Sequence, residues 1–180
     1  MICPVVSPNG GQNAKPTHLL YRSMKASWSR VWSHVPIPEA HVLGLSIAEV
    51  LQRRYPYRLV PNGPLTRLGG VSCLFLGMGL ITWATNTFTR TLDGEDELVT
   101  DGPYRHSRNP MYLGWTALYL GVGLLRNSLW FILTLPAVLA ITHRTVRAEE
   151  RTLERGFPEG FADYRERVPR YLGIRSLKRR

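Results

Sequence analysis

The chain has 180 residues, enough for one domain and short for two. Its net charge of +10 and pI near 10.2 suit nucleic acid or an anionic membrane face. Eleven of the 23 basic residues lie between Arg144 and the C-terminus, which argues against a nucleic-acid domain with basic side chains spread along its faces.

Residues 1–35 hold Pro4, Pro8, Gly10, Gly11 and Pro16 among polar residues and read as a disordered or interfacial tail. No apolar core precedes a small-residue cleavage site, as a cleavable signal would require. Trp28 and Trp32 in "KASWSRVWSH" mark a candidate interfacial helix. Pro36 and Pro38 then introduce "EAHVLGLSIAEVL". Its Glu39, His41 and Glu49 make it the weakest membrane helix expected here, with a surface or re-entrant segment as the alternative. Cys3 and Cys73 fall in a polar tail and an apolar run, so neither a disulfide framework nor a metal site is expected.

The mean hydropathy of −0.14 averages polar ends with apolar segments. Between Arg67 and Arg90, 22 positions carry no charge, and further uncharged runs extend from Asn109 to Leu125 and from Asn127 to Thr142. Crossing a bilayer takes roughly 17–25 apolar residues in a helix. Gly69, Gly70, Gly77 and Gly79 weaken a helix in water but permit close helix contact in lipid. A soluble acidic loop, "RTLDGEDELVTDGPYRHSRNP", leads to a helical hairpin turning at Arg126–Asn127, its second arm kinked at Pro136. Beyond Val146, Leu153, Phe157, Phe161, Tyr164 and Val168 recur every three or four residues. That spacing predicts an amphipathic helix, or two interrupted near Gly156–Pro158.

The expected architecture is an all-α, polytopic membrane bundle of about four helices, over 37–52, 66–89, 110–125 and 128–146, with a cytoplasmic C-terminal amphipathic helix. Four spans divide the basic residues eighteen to five between the two sides. The positive-inside rule then places both termini and the acidic loop in the cytoplasm.

The string most loaded with chemistry is "LVTDGPYRHSRNPMYLG", residues 98–114. Pro110 restrains Asn109 from helical geometry and can open the next helix, whose N-terminus suits a carboxylate or phosphate. Arg105 and Arg108 add positive charge, and Tyr104 and Tyr112 offer aromatic faces; a basic interfacial anchor is the plainer reading. In "RAEERTLER", Glu149 and Glu150 can accept hydrogen bonds from ribose hydroxyls or an amino group. From the residues alone the favoured reading is a helix surface on which they pair with Arg147, Arg151 and Arg155. His106 and His143 are weaker candidates for proton transfer.

These motifs resemble the isoprenylcysteine carboxyl methyltransferase and phospholipid methyltransferase superfamily. Its signature is matched by Leu98, Val99, Gly102, Tyr104, Arg108, Asn109, Pro110, Tyr112 and Gly114, then Glu149 and Glu150, then Phe161, Tyr164, Val168, Pro169 and Arg170. The likeness covers residues 66–173. It implies a membrane methyltransferase domain over 36–175, with 176–180 a basic tail, that binds S-adenosylmethionine. The cofactor-binding residues implied are Leu98, Val99, Tyr104, Arg108, Asn109, Pro110, Met111, Tyr112, Glu149 and Glu150. Catalytic roles fall to Glu149, Glu150 and Arg147, with Arg144 as a further substrate contact. Where the prenylcysteine enzymes carry histidine this chain has Asn109, which removes a titratable base and with it the main support for that substrate.

The expected activity is methyl transfer to a lipophilic acceptor, a lipid or small molecule carrying a carboxylate, amine or thiol. The acceptor is expected to enter from the bilayer through glycine-lined gaps at Gly114, Gly121 and Gly123. The alternatives are a non-catalytic membrane sensor or assembly protein on the same fold, a sterol-reductase-like NADPH enzyme, and a soluble nucleic-acid binder.

Overall fold

The computed structural model describes residues 38–60, 64–92 and 98–173, at residues 91 and 92 the backbone alone. The tail with Trp28 and Trp32, the centre of the acidic loop and the basic residues 176–180 lie outside the described residues. The described part is all-helical: α1 (Glu39–Arg54), α2 (Pro64–Leu92), a 3₁₀ turn (Gly102–Arg105), α3 (Pro110–Leu125), α4 (Leu129–Gly156) and α5 (Pro158–Arg167).

Proline sets the first residue of α2, α3 and α5, positions where its missing N–H is harmless. Pro136 lies inside α4, which continues through it as one helix. The apolar run predicted α4 to stop near residue 146, but the helix continues to Gly156. "VRAEERTLERG" loses hydrophobicity, not helix propensity, so nothing in it ends the helix. The break comes at Phe157, which precedes Pro158 and leaves helical geometry with φ −134° and ψ 66°.

Helices α2 and α3 run antiparallel with their backbones in contact. A Cβ on Gly77 would stand 2.7 Å from the Gly114 carbonyl oxygen, and one on Gly70 3.0 Å from that of Gly121. Two glycine pairs, each two helical turns apart, form the seam. Bare backbone at both levels is what lets the helices approach this closely. This corrects the expected lipid gaps. Gly114 is closed by Gly77 and Ile81, Gly121 by Gly70 and Leu74, and Gly123 by Phe131.

Helix α1 lies along α4, where Gly44 receives Val138 and the Tyr119 ring. Ala40, Ala48, Tyr119, Phe131 and Val138 form the buried core there. Two polar pairs lie inside the bundle: Tyr119 shares a 2.6 Å hydrogen bond with Thr134, and His41 Nε2 lies 3.1 Å from Thr116 Oγ1. The loop after α1 and the α3–α4 turn meet at one end of the bundle. There the Leu59 N–H donates to the Asn127 carbonyl and the Leu129 N–H to that of Tyr57.

The outer faces are apolar. Leu65 is 80% and Phe75 76% exposed on α2, and Val42, Leu43, Leu133 and Ile141 are also exposed. Two helices, α2 and α4, are long and apolar enough to cross a membrane, and only 17% and 22% of their apolar stretches are buried. A soluble core helix would be mostly covered, whereas these largely uncovered apolar faces suit contact with lipid. Helix α3, with 16 residues, is apolar but shorter than a full crossing.

Candidate functional site

The 98–114 segment wraps from α2 to the start of α3. Gly102 adopts φ +56° against Thr87 and Trp83, where a Cβ would approach Thr87 Oγ1 to 2.6 Å, so glycine is needed on both counts. Leu98 and Tyr104 pack against a small second core of Phe161, Tyr164 and Val168. The Tyr164 hydroxyl donates to the Tyr104 carbonyl at 2.8 Å. Burial pushes both phenols above their ordinary range, helped at Tyr104 by the nearby Glu149 charge and at Tyr164 mainly by Tyr104, so both remain neutral donors.

Glu149 and Glu150 diverge, since successive residues on a helix point about 100° apart. Half-buried Glu149 turns to α3 and accepts a 2.8 Å hydrogen bond from the Tyr112 hydroxyl. Glu150 turns toward α5 and the segment after it. Its Oε2 accepts from both Nε and Nη2 of Arg170, at 3.0 and 2.7 Å. Its Oε1 lies 3.2 Å from Arg108 Nη2, an ion pair in distance whose angle falls short of a hydrogen bond. The Arg108 guanidinium also stands 5.8 Å over the Phe161 ring.

Arg108 is the least satisfied group of the cluster. Its side chain is 7% exposed, and Nε and Nη1 are buried without a hydrogen-bond partner. Burial lowers its pKa against the pull of Glu150, whereas the Glu150 hydrogen bonds raise that of Arg170. A guanidinium stays charged through such shifts. The site thus holds a desolvated cation with two donor nitrogens to offer.

The segment after α5, extended at Val168, straps this cluster down. The Arg108 N–H donates to the Pro169 carbonyl at 3.0 Å. Asn109 Nδ2 and Ser107 Oγ both donate to the Arg170 carbonyl, at 3.1 and 3.3 Å. Ser107 Oγ in turn accepts from the Asn109 N–H at 3.1 Å. Beside the strap, Tyr171 and His143 share a 3.2 Å contact.

Of the residues expected to form the site, Arg108, Asn109, Tyr112, Glu149 and Glu150 converge, with Leu98 and Tyr104 alongside against α5. Pro110 and Met111 are buried at the start of α3, and Val99 is half-buried on the approach to the 3₁₀ turn. Arg147, Arg144 and His106 are exposed and join none of these contacts. Sequence reasoning gave Ser107 no role and used Arg170 only as part of a motif, although its place after Val168–Pro169 was a signal.

Comparison with known proteins bears on this site. The sequence profile of the family described as phospholipid methyltransferase matches residues 65–160, just over half of the chain. The chain is 38% identical over 88 residues to the nickel-cobalt-cadmium resistance protein NccN of Alcaligenes xylosoxydans xylosoxydans, covering 46% of this chain and 39% of NccN. It is 34% identical over 117 residues to the cobalt-zinc-cadmium resistance protein CzcN of Cupriavidus metallidurans, covering 61% of this chain and 54% of CzcN. The chain therefore spans about half or less of the length of these curated relatives. No solved structure matches it.

Proposed function

The chain belongs to the phospholipid methyltransferase family, and from that premise we propose that it transfers a methyl group from S-adenosylmethionine to a lipophilic acceptor at the membrane surface. The observation that carries this reading is the buried Arg108, with Nε and Nη1 unpartnered, beside the Tyr112–Glu149 hydrogen bond. These groups fit the cofactor's chemistry: Arg108 offers two donors to a carboxylate, and Glu149 accepts from ribose hydroxyls or an amino group. Glu150 is committed to Arg108 and Arg170, so Glu149 takes the cofactor-facing role and Glu150 supports the site.

Bound there, the cofactor supplies a methyl already activated on a sulfonium. The chain's own work is to hold reactants in line and keep water out. Tyr112 fixes the Glu149 carboxylate, and the strap fixes the Asn109 amide through the Arg170 carbonyl. The aromatic faces of Tyr104 and Tyr112 favour a cation near them. A carboxylate or thiolate acceptor needs no base, whereas an amine releases a proton that Glu149 can take. In this reading α1 and α3 complete a four-helix, multi-pass bundle with cytoplasmic termini, and the acceptor enters beside the outer face of α4, since the α2–α3 seam is closed. The relatives are named for metal resistance. Among the described residues no group of three or more His, Cys, Asp or Glu is placed to hold a metal.

Calorimetric titration of the detergent-solubilised protein with S-adenosylmethionine is the test. Arg108→Met, Tyr112→Ala and Glu149→Ala should each weaken binding, by about 1–3 kcal/mol for a lost buried hydrogen bond. Unchanged affinity in all three overturns the assignment. Given binding, lipid extracts incubated with methyl-labelled cofactor should yield a labelled apolar product; binding without turnover on any lipid favours the non-catalytic alternative.

A further inference from the structure

The opposite end of the bundle carries a second polar site that methyl transfer does not use. A cleft of about 710 Å³ opens between residues 52–58 and 64–67 on one side and the α3–α4 turn on the other. Arg58, Arg67 and Arg126 line it, together with Asn127, Pro64 and Leu125, and no acidic residue is among its lining. Arg126 is held by Glu49, which also takes Arg53. Arg58 and Arg67 make no ion pair among the described residues. With Arg126 compensated by Glu49, Arg58 and Arg67 remain as two exposed cations on one cleft, and an anion between them offsets their mutual repulsion.

The walls of this cleft are built rather than loose. Arg58 bridges to Ser128, and Asn127 both donates to the Val60 carbonyl at 2.8 Å and accepts from its N–H at 3.1 Å. Trp130 Nε1 donates to the Tyr55 carbonyl at 2.6 Å, and its ring lies against Tyr55 and Tyr57. Trp and Tyr gather at headgroup depth in membranes, so this cluster marks the level of the cleft. Leu65, Leu68 and Leu125 beside it expose apolar side chains, giving acyl chains a surface to follow.

We propose that this cleft binds the phosphate headgroup of an anionic lipid, with the acyl chains lying along the outer face of α2 at Leu65 and Leu68. A lipid, rather than a free anion, fits because charge and exposed apolar surface adjoin at the cleft. The site is separate from the methyltransferase site. From Ser128 to Glu149 is about 30 Å along α4, at 1.5 Å per residue.

Native mass spectrometry of the full chain released from detergent tests this. The probes are phosphatidylglycerol, phosphatidylcholine and glycerol phosphate. Wild-type protein should retain phosphatidylglycerol over phosphatidylcholine, and the Arg58→Gln/Arg67→Gln variant should lose at least tenfold of that retention. Its S-adenosylmethionine affinity should not move, so failure here is distinguishable from failure of the methyltransferase reading. Equal phosphatidylglycerol retention by wild type and variant overturns the site. Glycerol phosphate binding as tightly as phosphatidylglycerol overturns the lipid as its occupant.

Discussion

The α2–α3 seam and the clasp around Glu150 both hold the first turns of α3 in place, by opposite means. The seam's glycines bring no side chain of their own; the carbonyl oxygens of Gly77 and Gly114, with the Leu118 and Ile81 side chains beside them, stand where methyl groups would collide. The clasp is all side chain, a carboxylate between two guanidinium groups with a backbone strap across it. The seam fixes distance and leaves polarity unconstrained. The clasp fixes orientation and depends on charge. A site that must align a substrate needs both, one element to set the separation of helices and one to set which way Asn109 and Arg108 face.

Removing charge from the clasp should have the largest effect. Glu150→Gln leaves Arg108 buried without its counter-charge and should cost about 3 kcal/mol of stability, the scale for breaking a buried ion pair. Changing Arg108 to Met in the same chain should recover part of that loss, because the stranded charge goes with it. Thermal unfolding in detergent reads both, and a Glu150→Gln protein as stable as wild type would show the clasp to be ornamental.

Adding one methyl to the seam should cost somewhat less. Gly77→Ala and Gly114→Ala each press a Cβ on a carbonyl oxygen, and overpacking of this kind costs about 1–3 kcal/mol. Gly79→Ala is the internal control, since a Cβ there meets nothing within 4 Å and should be neutral or stabilising. Equal losses at 77 and 79 would mean that backbone contact is not the reason for glycine.

Asn109→Ala separates orientation from stability. It removes one 3.1 Å bond to the Arg170 carbonyl, so S-adenosylmethionine affinity should fall by about 1–2 kcal/mol with little change in melting temperature. Smallest of all is Arg165→Gln. It breaks a half-exposed pair with Glu154 and should stay within about 0.5 kcal/mol of wild type.

Much of this was legible in the residues. Pro110 announced the start of α3, and the motif order brought Arg108, Asn109, Tyr112 and the glutamates to one place. The seam was half-legible: Gly70 and Gly77 share the seven-residue separation of Gly114 and Gly121, but only three dimensions show one pair facing the other. The end of α4 was misread because the apolar run was taken for the helix, whereas backbone geometry continues wherever no residue breaks it. Glu149 and Glu150 could not be told apart from sequence, since their partners follow from which side of α4 faces Tyr112 and which faces Arg170.

Helix α4 has one more consequence, in the dimension of depth. Its 28 residues span about 42 Å, more than the roughly 30 Å hydrocarbon layer, and Glu149 stands about 30 Å from Leu129. For a helix that crosses the bilayer, the height of the carboxylate above the lipid is therefore set by a count of residues. A membrane thickened by a few ångströms draws Glu149 toward the acyl region, and a thinned one lifts it into water. For the proposed methyl transfer, bilayer thickness is then a physical variable acting on the height of Glu149, independent of how much acceptor or cofactor is present.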